Sequence, residues 1–261
     1  MDLNLDGKRA LVTGSTAGIG AAIAAGLARE GARVIVNGRL PDAVERAVAT
    51  LKAESGGEVI GFAGDLGTAG PIEDLIRRHP EVDILVNNLG IFEPKPFEDI
   101  PDADWMRFFE VNVLSGVRLS RAYLPGMKRL NWGRIIFISS ESALQIPAEM
   151  IHYGVTKTAQ VAVARGLAET LAGTGITVNS VLPGPTRSRG VNDFVAALGA
   201  GASFEDFQTE FFQKFRPTSL LRRFETPEEI ASFVTYLASP LSSGITGAAL
   251  RVDGGVVKSA F

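Results

Sequence analysis

The sequence predicts an α/β fold in which helices cover both faces of a doubly wound, seven-stranded parallel sheet. Short apolar runs alternate with longer segments of helical period from one end of the chain to the other, the form expected when strands are buried on both faces. Hydrophobic residues fill 46% of the 261 positions, enough for a large core within one domain spanning 1–261. No internal repeat or low-complexity linker divides the series.

The first strand is expected at 9–13 (Arg9-Ala10-Leu11-Val12-Thr13), followed by a glycine-rich turn and a helix over 19–30. A second strand at 33–36, a helix over 42–54, and strands at 59–62 and 84–86 come next. A long helical stretch at 102–128 precedes the fifth strand at 134–138, and a helix over 153–172 precedes the sixth at 177–181. The seventh is expected at 249–252. Before it, Thr226-Pro227-Glu228-Glu229 combines a capping threonine, a first-turn proline and a glutamate three residues after the cap, so a helix should start there and run through Tyr236. Phe204, Phe207, Phe211 and Phe215 recur at spacings of three and four, an amphipathic stripe. The segment 187–224 that carries them is a candidate cover over a pocket at the carboxyl ends of the strands.

A formal net charge of −3 gives no electrostatic reason to expect nucleic acid, and no block of like charges marks a membrane patch. With no cysteine, and His79 and His152 as the two imidazoles, neither a disulfide framework nor a metal site is expected. The first residues lack a basic region followed by an apolar stretch, and no later segment is apolar for the width of a bilayer. A cytoplasmic protein that handles a small molecule is the expectation.

Two motifs carry chemistry. Thr13-Gly14-Ser15-Thr16-Ala17-Gly18-Ile19-Gly20 joins the first strand to the first helix, whose start offers unpaired N–H groups and the positive end of the helix dipole. Diphosphate binds well at such a turn, although a tight strand-to-helix connection needs glycines too. Tyr153 and Lys157 lie four residues apart and so share one helix face, downstream of Ser139-Ser140. A phenol ionises near pH 10 in water, so it exchanges protons near neutrality only when a positive charge stabilises its anion.

These motifs, in this order, resemble the short-chain dehydrogenase/reductase family and its single-domain members, among them 3-oxoacyl-ACP reductase-like and gluconate or sugar dehydrogenase-like proteins. Asn87-Asn88-Leu89-Gly90, Asn112, Pro183-Gly184-Pro185-Thr186 and Val252-Asp253-Gly254-Gly255 match as well, and the 13-residue separation of Ser140 from Tyr153 selects Ser140 over Ser139. The resemblance implies a Rossmann fold and an NAD(P)-dependent oxidoreductase that moves hydride between nicotinamide and a carbonyl or secondary alcohol. Tyr153 would be the general acid/base, Lys157 would lower its pKa and bind the nicotinamide ribose, and Ser140 would hold the substrate oxygen. Asn112 would sit at a helix break and hold a water leading from Lys157. The nucleotide would meet Gly14, Ser15, Thr16, Gly18, Ile19 and Gly20 at the glycine turn, Asn88 and Gly90 after the fourth strand, and Pro183, Gly184 and Thr186 after the sixth. Asn87 would brace the sheet. Asp65 and Leu66 would contact adenine, or Asp65 would cap a helix.

At the end of the second strand Gly38 stands where an acidic residue would select NAD(H), and Arg39 follows it. A guanidinium there pairs with a 2′-phosphate, so NADP(H) is favoured. Ala17, where a second basic residue is common in NADP-dependent relatives, keeps NAD(H) open. Candidate pocket residues are Ser142, Gln145, Glu149, Arg187 and Arg189, the two arginines either binding an anionic substrate or solvated. A homotetramer is implied, with a dimer next. A nucleotide-sensing protein without catalysis and a sugar-nucleotide epimerase or dehydratase are the rival readings.

Overall fold

The structure, a computed structural model of the chain, describes residues 2–187 and 203–260. Strands β1 (Arg9–Val12), β2 (Arg33–Gly38), β3 (Val59–Ala63), β4 (Ile84–Asn87), β5 (Gly133–Ile138), β6 (Ile176–Pro183) and β7 (Ala249–Val252) form one sheet in the order β3-β2-β1-β4-β5-β6-β7. Every pairing is parallel. The expected strands are all present, each end within two residues of its expected place.

Alternation along each strand sends neighbouring side chains into two separate cores. Ala10, Val12, Val34, Val36, Ile84, Val86, Ile136 and Ile138 meet helices α1 (Gly18–Arg29), α2 (Pro41–Ser55) and α8 (Pro227–Leu237) on one face. Leu11, Ile35, Leu85, Ile135, Phe137 and Val178 meet α3 (Ala69–Arg78), α5 (Ser115–Leu130) and α6 (Ile151–Glu169) on the other. The capping box at Thr226 forms as expected, Thr226 Oγ1 accepting from Glu229 N at 3.3 Å and Glu229 Oε2 from Thr226 N at 2.8 Å.

The stretch expected as one helix over 102–128 is interrupted. Helix α4 (Asp102–Phe109) passes into a π turn (Glu110–Leu114) before α5 begins, which leaves Asn112 at a break in the hydrogen-bond ladder. Helix α7 (Phe204–Lys214) carries the phenylalanine stripe, capped by Ser203. Its rings pack on Phe224 of the same segment, Phe211 at 4.9 Å and Phe212 at 5.2 Å, so the stripe builds a local core of its own. Phe215 falls just beyond the helix and is exposed. No helix among the described residues is long and apolar enough to cross a membrane.

Candidate active site

The direction of strand order changes between β1 and β4, and the carboxyl ends of these neighbours frame a crevice. The glycine turn lines one side of it. Gly14 and Gly18 take positive φ of 60° and 57°, conformations that favour glycine. At Gly18 a Cβ would meet nothing within 4 Å, whereas at Gly20 it would lie 2.5 Å from Gly14 O and 2.9 Å from Ser15 Cα. Gly20 thus lets α1 pack onto the turn, and Gly18 leaves open space at its mouth. A diphosphate fits that bare, N–H-rich helix start.

Uncharged side chains hold the turn in shape. Ser15 is fully buried; its hydroxyl donates to Val12 O at 2.6 Å and its N–H to Asn37 O at 2.8 Å, so Ser15 braces the frame and its side chain is not presented to the crevice. Asn37 accepts from Gly14 N and donates to Phe62 O and Gly64 O, linking three strands. Asn88 Nδ2 donates to Thr13 O and Gly14 O, while Thr13 Oγ1 accepts from the N–H groups of Asn88 and Leu89. Asn87 turns inward toward Ser120, as a brace. Thr16 and Ile19 are half-buried at the turn.

At the end of β2, a Cβ on Gly38 would lie 2.5 Å from Thr16 Cγ2, so no side chain fits there unless Thr16 moves. Arg39 is exposed next to it. Asp65 Oδ1 accepts from Gly67 N at 2.9 Å, fixing the turn ahead of α3, and Leu66 is buried. Beyond β6, Gly184 N donates to Glu225 Oε2 at 3.0 Å and Thr186 Oγ1 to Gly184 O, with Pro183 buried at the strand end.

The proton-handling groups gather where β4 and β5 end. Gly90 lies beside both Lys157 Nζ and Asn112 Oδ1, at 3.4 and 3.6 Å from the position of a Cβ. Lys157 Nζ donates to Ile138 O at 2.9 Å and sits 5.5 Å from the centroid of the Tyr153 ring. Ser139 Oγ donates to Lys157 O and thereby fixes α6 against β5. Asn112 spends its side chain on Ile91, accepting from its N–H and donating to its O, and on Thr156; its carbonyl accepts from Gln160 Nε2. The π turn therefore anchors α6 near Tyr153 through Thr156 and Gln160.

The electrostatics differ from expectation in one respect. Burial pulls the Lys157 ammonium down to about 7. Burial, and then the Glu141 carboxylate, push the Tyr153 phenol well above its ordinary value; the neighbouring Ser140 hydroxyl and the charge of Arg216 pull it part of the way back. The chain's own groups thus favour the protonated phenol. Lys157, whose hold on its own proton is loosened by burial, is not among the groups that shift the phenol.

Of the candidate pocket residues, Ser142 is buried and donates to Glu141, while Gln145 reaches Thr218 and Glu149 accepts from Arg216. The Arg187 guanidinium lies 4.2 Å from the Phe204 ring centroid. Arg189 falls outside the described residues. Asn37, Glu141 and Arg216 were not foreseen. A glutamate in the otherwise uncharged run Ser139-Ser140-Glu141-Ser142 was the one available signal.

A family model described as "Enoyl-(Acyl carrier protein) reductase" matches residues 14–257. The oxidoreductase YvaG of Bacillus subtilis, itself uncharacterized, is 53% identical over the whole of both chains. The chain belongs to the short-chain dehydrogenase/reductase family. Other members resemble it closely. D-beta-hydroxybutyrate dehydrogenase of Cupriavidus necator is 36% identical, over 97% of this chain and 99% of that one. L-sorbose reductase of Gluconobacter frateurii, solved with NADPH and L-sorbose, superposes with a TM-score of 0.93 at 32% identity over 99% of this chain and 100% of that one. As a member of the family, this protein is an oxidoreductase acting on alcohol or carbonyl groups with a nicotinamide cofactor.

Proposed function

We propose that this oxidoreductase reduces the carbonyl of a small molecule using NADPH, with Tyr153 delivering the proton. The observation that carries the reading is the convergence of Tyr153, Lys157, Ser140 and Gly90 at the ends of β4 and β5, beside a glycine turn with open space at Gly18. The cofactor, when bound, supplies the hydride. The phenol gives its proton to the carbonyl oxygen as negative charge develops there, and its raised pKa keeps it in the acid form that reduction needs. Lys157 faces the ring and the bare side of Gly90, where a ribose would lie. Ser140 stands beside the phenol, and Asn112 secures Ile91 and the helix that carries Tyr153.

NADPH is favoured over NADH on two grounds. Gly38 carries no carboxylate to repel a 2′-phosphate, and the exposed Arg39 offers a guanidinium to one. The NADPH complex of L-sorbose reductase agrees. We take the chain as one cytoplasmic domain that assembles as a homotetramer. Exposed Met106 and Phe109 on α4 and Val155 on α6 offer apolar surface for subunit contact.

The test is NADPH oxidation with a panel of L-sorbose and other keto sugars, acetoacetate, a β-ketoacyl thioester, small diketones and an enoyl thioester. Turnover of a carbonyl that falls by about 10²–10⁴-fold in Tyr153→Phe supports the reading. Wild-type turnover in that variant, or turnover of the enoyl thioester alone, overturns it. Arg39→Ala should weaken kcat/KM for NADPH and leave that for NADH unchanged, and a wild-type preference for NADH would sink the cofactor assignment. A monomer by light scattering contradicts the assembly.

A further inference from the structure

Glu141 is a buried carboxylate that the chemistry above does not use. It directly follows Ser140 in the turn Glu141–Ala143. Its Oε2 accepts from Ser140 Oγ at 2.5 Å, from Ser142 N at 2.6 Å and from Ser142 Oγ at 2.8 Å, and its Oε1 accepts from Arg216 Nε at 2.7 Å. Arg216 is itself buried and comes from the stretch just after α7. Its Nη1 donates to Glu149 Oε1 at 3.1 Å and to Phe215 O at 2.8 Å. The same stretch lies against the end of the chain, with Thr218 Oγ1 donating to Val256 O and the N–H groups of Leu220 and Leu221 to Gly254 O, and it is reached by Gln145 from the catalytic turn. It packs against the turn that follows Ser140.

Burying an ion pair costs about as much in lost hydration as it gains in attraction, so stability alone is a weak reason for one. The place of this pair is more telling. A carboxylate held by a guanidinium can only accept, so the hydrogen between Ser140 Oγ and Glu141 Oε2 belongs to Ser140. Ser142 N donates to the same Ser140 oxygen at 3.1 Å. The Ser140 proton is thus turned toward Glu141, which fixes the direction of the hydroxyl beside Tyr153. Glu141 and Arg216 act on that phenol with opposite sign.

We propose that Glu141 and Arg216 are a positioning pair for the proton-donating Tyr153. Glu141 sets the direction of the Ser140 hydroxyl; Arg216, carried by the stretch after α7, holds Glu141 and balances its charge, so the centre is competent only while that stretch is seated against the turn. This rests on the reading of Tyr153 given above. The charged groups around the phenol are Glu141 on the turn after β5, Arg216 on the stretch after α7 with Glu149 behind it, and Lys157 on α6.

The experiment compares wild type, Arg216→Met, Glu141→Gln and the double variant as complexes with NADP⁺. The readout is the pH at which Tyr153 ionises, taken as the ultraviolet difference between each form and the same form carrying Tyr153→Phe, which removes the signals of Tyr123 and Tyr236. Arg216→Met leaves the carboxylate unbalanced and should raise the midpoint by about one pH unit; Glu141→Gln should lower it by about as much, and the double variant should return to wild type. Turnover of the best carbonyl from the panel should fall about tenfold in Arg216→Met and recover in the double variant. An equal midpoint in all four forms, with the single variants merely less stable to heat, overturns the proposal. If Arg216→Met does not fold, Glu141→Gln and the double variant carry the same comparison. Loss of turnover in Tyr153→Phe with unmoved midpoints sinks the pair alone, whereas undiminished turnover in Tyr153→Phe sinks the underlying reading.

Discussion

At the turn after β1, Thr13, Ser15, Asn37 and Asn88 fix the backbone through uncharged groups, each bonded to main chain from another part of the crevice wall. At the turn after β5 and the loop after β6, the buried groups are ionisable: Glu141, Arg216, Lys157 and Glu225, with Tyr153 half-buried among them. The first region holds a shape whatever the pH, as suits a cradle for a diphosphate whose charge the reaction does not change. In the second, burial and neighbouring charges shift Lys157, Glu225, Arg216 and Tyr153, as suits a place where a proton must move. The difference implies that pH and charge-altering substitutions act on one end of the crevice and steric ones on the other.

The largest effect that could break this contrast is the pH dependence of stability, measured on the protein without added nucleotide. Burial lowers Lys157 to about 7, so between its ordinary value near 10 and pH 7 the unfolded chain takes up a proton that the fold does not. Stability should therefore rise as pH increases from 7 toward 10. Burial raises Glu225 to about 7, so between its ordinary value near 4.3 and pH 7 the fold keeps a proton that the unfolded chain has lost. Stability should fall across that window as pH rises. The two windows meet near neutrality, where both groups weaken the fold. Lys157→Met should raise the unfolding free energy at pH 7 by on the order of 3 kcal/mol while abolishing turnover, and Glu225→Gln should stabilise at pH 8 but not at pH 4. Denaturant midpoints for the two variants that run parallel to wild type from pH 4 to 10 would show that the catalytic end is as indifferent to pH as the glycine turn.

The same contrast explains what could be seen in the sequence. The glycine turn is local: eight consecutive residues contain the strand end, the bend and the helix start, and the alternating apolar runs at 9–13 and 134–138 place the sheet around them. Tyr153 and Lys157 were visible because four residues on a helix share a face. Glu141 and Arg216 are 75 positions apart, and nothing in either one's neighbours announces the other. Asn37 was in view beside Gly38, but its three strand-bridging bonds depend on the sheet order β3-β2-β1, a tertiary fact. Ser15 misled for the reverse reason: its place in a nucleotide-binding motif suggested a ligand contact, whereas the fold turns its hydroxyl inward. The direction of the Tyr153 shift was also out of reach, since it depends on how deeply Tyr153 itself is buried and on the charges of Glu141 and Arg216 beside it.

A smaller effect tests the other side of the contrast. Gly20→Ala adds a carbon 2.5 Å from Gly14 O and 2.6 Å from Asn88 Nδ2, and backbone there cannot yield cheaply. Overpacking of this kind costs about 1–3 kcal/mol. The loss should be equal at pH 5 and pH 9, and NADPH binding should weaken with it because the turn is displaced. A pH-dependent loss would mean that ionisable groups support the turn after all.

The smallest effect separates shape from contact within that turn. Gly18→Ala meets no atom within 4 Å, so it brings no clash inside the protein; its penalty is the positive φ of 57°, about 1 kcal/mol for a side chain in that region. If the open space at Gly18 is where the diphosphate approaches, the added methyl should lower NADPH affinity by more than this strain alone accounts for, while the thermal midpoint moves less than in Gly20→Ala. Titration calorimetry beside a melting curve for the two variants makes the comparison. Equal ratios of lost affinity to lost stability would mean that the bare face of Gly18 serves only the fold; a larger ratio at Gly18 assigns its missing side chain to the ligand and that of Gly20 to the packing of α1.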